Sequence, residues 1–263
     1  MSYLAGSVSG MTRPQRSAVT VVHVPHASRV IPPKVRVGIV LSDEALEFEL
    51  DQMTDSFTDV LVACALEGVS DGPEVIAAPV SRLVVDVERF PDEREAMNAV
   101  GMGAVYTRTH DGAVLREEID PTMVGRYQEP HARAVAEAVT DRLEARGQAL
   151  VIDVHSYPSA QLPYEMAEPG AERPEICLGV DEVHTPPELV ARARDAFEGF
   201  EIAINSPFAG AYVPLRYYGR EPRVAAIMIE IRRDTYMDEE SMELSDGVER
   251  VVAGLRKLLT PWV

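Results

Sequence analysis

The sequence predicts a three-layer α/β sandwich. Three observations carry the prediction. β-branched and apolar runs recur at 18–24, 75–78, 83–87, 149–155, 176–180, 201–205 and 225–232. Helix-length stretches separate most of them, and strands alternating with helices call for a sheet covered on both faces. The chain of 263 residues has enough Val, Ile, Leu and Ala for a sizeable core, and neither an internal repeat nor a domain linker stands out.

The bulk chemistry narrows the function classes. The formal net charge is −18. That balance argues against a nucleic-acid or anionic-membrane partner, though a few arginines can still build a positive pocket for an anionic substrate. Cys64 and Cys177 lie in apolar runs and read as small hydrophobes. With no CxxC, a thiolate metal site is not expected, and two lone thiols fit a reducing cytoplasm. Residues 1–16 read as a flexible polar tail without a signal-peptide core, and 17–263 as a single catalytic domain. No apolar run approaches the ~18 residues of a membrane span.

Taken in order, 18–24 is a strand that runs into Pro25-His26-Ala27-Ser28. His26 at the strand end suits a metal ion; a turn histidine is the plain alternative. His23, between valines, reads as a strand-face residue. Ser42 caps a long helical pattern over 43–67, ended by Gly68, with a helix restart at Thr54-Asp55-Ser56 as an alternative. Asp51, Asp55 and Asp59 are spaced four apart on one helix face, and like charges so stacked cost stability. A metal carboxylate among Glu49, Asp51 and Asp55 would account for the cluster. The runs 75–78 and 83–87 read as short strands, with Arg82 and Arg89 emerging near strand ends. Arginine suits bidentate carboxylate binding, and Asp86 is a structural partner for either.

Residues 92–120 read as an irregular lid or rim in which His110 is a surface residue. Residues 121–146 read as helical, kinked at Pro130 and stopped by Gly147, with His131 bonded locally. The run Val151-Ile152-Asp153-Val154-His155-Ser156-Tyr157-Pro158 is a buried strand ending in polar residues. In open α/β sheets chemistry collects at such carboxyl ends, so His155 is a candidate zinc ligand. A strand at 176–180, a surface His184, a helix over 186–198 and an edge strand at 201–205 follow. The run 225–232 buries Glu230, which is costly unless paired or used. Glu230 is therefore a candidate functional acid, with an ion pair to Arg232 or Arg233 as the structural alternative. A helix over 239–259 closes the chain. No GxGxxG, GxxxxGK[ST] or GxSxG occurs, which removes support for dinucleotide, P-loop and serine-hydrolase chemistry.

Several segments together carry a resemblance. Ile152-Asp153-Val154-His155-Ser156-Tyr157 and Ile229-Glu230-Ile231-Arg232 resemble the metal-ligand and catalytic-glutamate strands of zinc carboxypeptidases. With Pro25-His26-Ala27-Ser28, Ser81-Arg82, Asp86-Val87-Glu88-Arg89 and Glu230 through Tyr236, the chain from 18 to 259 resembles the N-formylglutamate amidohydrolase family. The resemblance implies a zinc carboxypeptidase-like fold of the phosphorylase/hydrolase type, with a mixed, mostly parallel sheet. It implies a cytoplasmic enzyme of amino-acid catabolism that hydrolyses the amide of a small N-acyl amino acid such as N-formyl-L-glutamate. His26, Asp55 and His155 would hold one Zn²⁺, with Asp51 and Glu49 as rivals of Asp55. Glu230 would move the proton of the attacking water. Arg89, with Arg82 or Arg216, would bind a substrate carboxylate or the oxyanion, and Asp153 would orient a ligand histidine.

Two positions depart from the family pattern. Ser28 stands where the family has Gly, and Glu88 where it has Asn. A carboxylate beside Arg89 would neutralise that arginine and weaken its grip on a substrate carboxylate. Another deacylase or carboxypeptidase-like hydrolase, and a non-catalytic binding protein on the same fold, are the alternatives.

Overall fold

The computed structural model describes residues 18–165 and 170–260. The tail expected over 1–16 lies outside the described residues. β1 (Thr20–Val24) leads into a short turn of helix, α1 (Pro33–Arg36), then α2 (Asp43–Met53) and α3 (Thr58–Leu66). β2 (Glu74–Ala77) is followed by a long connection and α4 (Glu129–Arg146). Next come β3 (Ala149–Tyr157), β4 (Ile176–Gly179), α5 (Pro187–Ala196), β5 (Ile202–Ile204) and β6 (Val224–Arg232). A small ribbon of β7 (Met237–Asp238) and β8 (Glu243–Leu244) precedes α6 (Val248–Leu259).

One six-stranded sheet has the order β2-β1-β3-β6-β4-β5. β2, β1, β3 and β6 are parallel; β4 runs against β6, and β5 follows β4. The chain thus forms the mixed, mostly parallel sheet of an α/β sandwich. Successive strand side chains alternate between the two faces. Leu150, Ile152, Val154, Ile227, Ile229 and Ile231 pack beneath α3, α5 and α6. Val21, Ala149, Val151, Val224 and Ala226 pack beneath α4. A fully buried aliphatic side chain of this kind contributes ~1.5–3 kcal/mol of transfer free energy.

The alternation decides where the polar residues go. His23, Asp153, His155 and Glu230 share the α4 face of their strands. Residues near the start of β3 and β6 are covered by α4, and the polar set lies toward the carboxyl ends. The register fixes the neighbours: His23 pairs with Asp153 across β1 and β3, and His155 with Glu230 across β3 and β6.

Several expected elements differ. The run 83–87 is not a strand. Ser81 captures three successive N–H groups, at Leu83 through its hydroxyl and at Val84 and Val85 through its carbonyl, and coils the segment into turns. Its valines are buried all the same, around Val105 and Met123. The helix over 43–67 is broken in two. The Asp55 N–H leaves the helical ladder for the His26 carbonyl at 3.0 Å, and Phe57 takes a left-handed φ of 66°. Pro130 begins α4 instead of kinking it, after a π-helical turn over Val124–Gln128. The closing helix starts only at Val248, because the β7–β8 ribbon takes up the residues before it. The segment 92–120 is no free lid: Met97, Met102, Tyr106 and Leu115 are buried against Leu46, Leu50 and Met53 of α2.

Gly179 shows how tightly the reversed strand fits. A Cβ there would lie 2.2 Å from the Gly210 carbonyl oxygen and 2.9 Å from Met228 Cβ. Both contacts are too close for any side chain, and Gly210 lines the site cavity. Gly179→Ala is expected to destabilise the protein by about 1–3 kcal/mol, the usual cost of overpacking. A thermal melt checks this; an unchanged melting temperature would contradict the close approach.

Candidate active site

The break between α2 and α3 hangs Asp55 beside the ends of β1 and β3. His26 Nδ1 and His155 Nδ1 are 3.2 Å apart, and Asp55 Oδ2 lies 3.1 Å from His155 Nδ1 and 3.6 Å from His26 Nδ1. All three side chains are buried. Three ligand atoms on a tetrahedral ion with bonds of about 2.0–2.1 Å stand roughly 3.3–3.4 Å apart. The observed spacings bracket that edge, so this trio fits a zinc-sized cation. The rivals of Asp55 are elsewhere. Asp51 pairs with Arg29 at 2.7 Å near the surface, and Glu49 pairs with His110 at 2.5 Å.

Each imidazole of the trio has a carboxylate behind it. His26 Nε2 donates to Asp86 Oδ1 at 2.9 Å. His155 Nε2 lies 3.0 Å from Asp153 Oδ2 as an ion-pair contact. A carboxylate in this place fixes the ring and raises its basicity toward a metal. Asp86 is fully buried and also accepts from Arg82 at 2.9 Å and from Tyr106 at 2.5 Å.

The electrostatics follow from this crowding. Burial opposes ionisation of Asp55, but bonds from His155 and His26 hold it well below the carboxylate range. Burial likewise opposes Asp86, and the charges of His26 and Arg82 override it downward. Burial would depress His155, yet Asp153 and Glu88 beside it raise it well above an ordinary histidine. The field that draws protons onto these rings is one that also attracts a cation. Glu230 behaves differently: burial pushes its carboxyl up to about 7. Its Oε2 has no hydrogen-bond partner. The alternative ion pairs are not formed, since Arg232 binds Asp234 and Arg233 binds the Asp51 carbonyl. A buried acid with a perturbed pKa in a cleft marks a functional site.

The cavity over these groups has a volume of about 800 Å³ and is lined by His26, Asp55, His155, Glu230, Arg82 and Arg89, among others. Arg82 is taken up by Asp86 and by the Tyr106 hydroxyl, 3.1 Å from its Nε. Arg89 is less engaged: its Nε has no hydrogen-bond partner, and its nearest carboxylates are Asp86 at 3.5 Å and Glu95 at 3.7 Å. Arg216 also lines the cavity, half over the Tyr217 ring and 3.4 Å from the Thr140 hydroxyl.

The comparisons with known proteins can be set against this geometry. A family model described as N-formylglutamate amidohydrolase matches residues 18–237. The chain belongs to the N-formylglutamate amidohydrolase family. An N-formylglutamate deformylase of Pseudomonas aeruginosa is 28% identical over 92% of each chain, and one of Pseudomonas putida is 24% identical over 92% of each. A solved N-formylglutamate amidohydrolase of Ralstonia eutropha superposes with a TM-score of 0.77 at 22% identity, covering 94% of this chain and 93% of that one. A gene product of Agrobacterium tumefaciens gives a TM-score of 0.68 at 20% identity, covering 93% and 90%. These structures show that the fold is shared. Among the described residues no helix is long and apolar enough to cross a membrane.

For a member of this family, four expectations from the sequence need correction. Glu88 does not neutralise Arg89. Its carboxylate turns to the histidines, 3.3 Å from His155 Nε2, 3.7 Å from His26 Nε2 and 3.5 Å from His23 Nδ1. His110 and His184 are not surface residues. Both are buried, and His184 is bonded to the Val224 carbonyl and the Gly219 N–H. His131 bonds at long range, with Nε2 2.7 Å from His23 Nε2. Sequence reasoning missed Tyr106 and Gln128. Gln128 donates to the Asp86 and Arg89 carbonyls, and only the π-helical turn aims it there.

The Glu49–His110 pair ties 92–120 to α2 and has a pH signature. The bond to Glu49 raises the His110 pKa above its ordinary value, and burial opposes it only partly. A raised folded-state pKa gives stability that is full below the unfolded value of about 6.5 and is lost as pH climbs through the folded value. Wild type is therefore expected to exceed Glu49→Gln in melting temperature at pH 6 by more than at pH 9. An equal gap at both would remove the ion pair from the account.

Proposed function

We propose that this chain is a zinc-dependent amidohydrolase that releases the acyl group of an N-formyl or other small N-acyl amino acid, N-formyl-L-glutamate being the leading substrate. The observation carrying this reading is the spacing of His26 Nδ1, His155 Nδ1 and Asp55 Oδ2, with a carboxylate behind each imidazole. The names of the Pseudomonas relatives support the substrate class. We read 17–263 as one catalytic domain working in the cytoplasm.

Bound by His26, Asp55 and His155, a Zn²⁺ would polarise the scissile carbonyl and lower the pKa of water toward about 7. The rest falls to the chain's own groups. Glu230, unpartnered at Oε2 and with a pKa of about 7, accepts a proton from the attacking water and returns it to the leaving nitrogen. Asp86 and Asp153 hold the two histidine rings in orientation. Arg89 is the cation with donors to spare, and it clamps the substrate carboxylate. Arg82 steadies Asp86 and lies 3.6 Å from Asp55, so it screens the carboxylates as they crowd. Arg216, on the outer part of the cavity, takes a second carboxylate such as that of a glutamate side chain. The roomy cavity supports a second reading on the same chemistry, with a bulkier N-acyl group or amide as substrate.

Chelation is the first test. Formate release from N-formyl-L-glutamate by zinc-loaded protein is expected to stop on treatment with a strong chelator and to return with Zn²⁺. Release that persists in metal-free protein would overturn the zinc reading; no release from loaded protein would move the substrate to another N-acyl compound. Two substitutions separate the roles. Glu230→Gln is expected to keep its metal and lose roughly 10²–10⁴-fold in kcat, the range for a general acid–base group. His155→Ala is expected to lose metal and turnover together. Full activity in Glu230→Gln, or tight metal in His155→Ala, would remove the respective assignment.

A further inference from the structure

Behind the trio is a second convergence of donor atoms, of which the proposed mechanism uses only Asp153. His23 Nδ1 lies 3.0 Å from Asp153 Oδ1 and 3.5 Å from Glu88 Oε1. These three residues offer ligand atoms all within 4.8 Å of one another. His23 is fully buried and Asp153 is 1% exposed. Glu88 Oε1 is buried and has no hydrogen-bond partner. The other oxygen, Oε2, lies 3.3 Å from His155 Nε2, across the ring from the Nδ1 atom that joins the trio. His155 Nε2 is also buried and lies beside the same carboxylates, 3.0 Å from Asp153 Oδ2.

We propose that His23, Asp153 and Glu88 hold a second divalent cation, behind the histidine rings that hold the first. The proposal rests on the reading of the trio as a zinc site.

Three considerations carry it. The first is proton placement. His23 Nε2 and His131 Nε2, 2.7 Å apart, share one proton. With that proton on His131, His23 Nδ1–H donates to Asp153 Oδ1; with it on His23, Nδ1 offers a lone pair to Asp153 Oδ1 and Glu88 Oε1. Lone pairs facing one another in a buried site repel, and a cation among them turns the repulsion into coordination. The second is charge. Asp55, Asp86, Glu88, Asp153 and Glu230 are five carboxyl groups gathered around two guanidiniums, Arg82 and Arg89. With Glu230 ionised, one dication leaves the set with a net charge of −1, and buried uncompensated charge is costly. The third is reach. Glu88 Oε1, buried and without a hydrogen-bond partner, faces His23 Nδ1 at 3.5 Å. One imidazole with two carboxylates is a borderline-to-hard donor set, suited to Zn²⁺ or Mn²⁺.

The test is stoichiometry. Purified full-length protein is stripped with a chelator, reloaded with Zn²⁺ and desalted, and metal per chain is measured by plasma mass spectrometry. Two equivalents are expected in the wild type and one in Glu88→Gln, which is isosteric and only partly buried. Circular dichroism confirms that the variant is folded. One equivalent in the wild type overturns the proposal, as do two that survive in Glu88→Gln. A variant that binds none also overturns it, because Glu88 would then serve the first site. A wild type that binds none removes the trio reading, and this proposal with it. Anomalous scattering at the zinc edge from wild-type crystals gives the same decision without a substitution. A second peak among His23, Asp153 and Glu88 supports the site, and a single peak at the trio sinks it.

Discussion

The buried carboxylate of Asp86 is the constraint on which the site depends. A fully buried anion is tolerated only when its oxygens are satisfied. Asp86 takes bonds from His26, Arg82, Tyr106 and the Glu88 N–H. Those partners come from the end of β1, the turns after Ser81 and the segment packed on α2. Meeting the needs of one charge therefore fixes three loops that the sheet alone would leave free. His26 is aimed, Arg82 is stretched into place, and Glu88 is presented to the histidines.

The sheet supplies the second half of the arrangement. Apolar residues on one face of β1, β3 and β6 anchor the strands beneath α3, α5 and α6. The other face is apolar only where α4 covers it. Beyond that cover the same face carries His23, Asp153, His155 and Glu230, and parallel pairing sets them side by side. A one-residue slip would turn this set into the core, so the core protects the register of the chemistry.

Much of this was legible in the sequence where local pattern and tertiary environment agree. The strands at 149–157 and 224–232 are long apolar runs, and their polar interruptions stand out for that reason. His26, His155 and Glu230 were found because each sits where an apolar run meets a loop or is broken by a charge. The turns over 83–87 were not legible. A β-branched run buried on several sides looks like a strand until Ser81 is seen to capture its N–H groups. The helix break at Asp55 was visible only as an alternative, because the bond that makes it comes from the carbonyl of His26, far away in sequence. Glu88 was misread for a related reason. Adjacency to Arg89 suggested a pair, but neighbours on a turn point apart.

The cavity remains as a feature with its own consequence. It is wide for a substrate the size of a formylated amino acid, and the segment at its rim is pinned by its own buried side chains. Enzymes that hand an acyl group to an alcohol or an amine must keep the solvent out while they do so. A cavity of about 800 Å³ over His26, Asp55, His155 and Glu230 has space for water beside a substrate of that size, so transfer of an acyl group to any other acceptor would need that space filled.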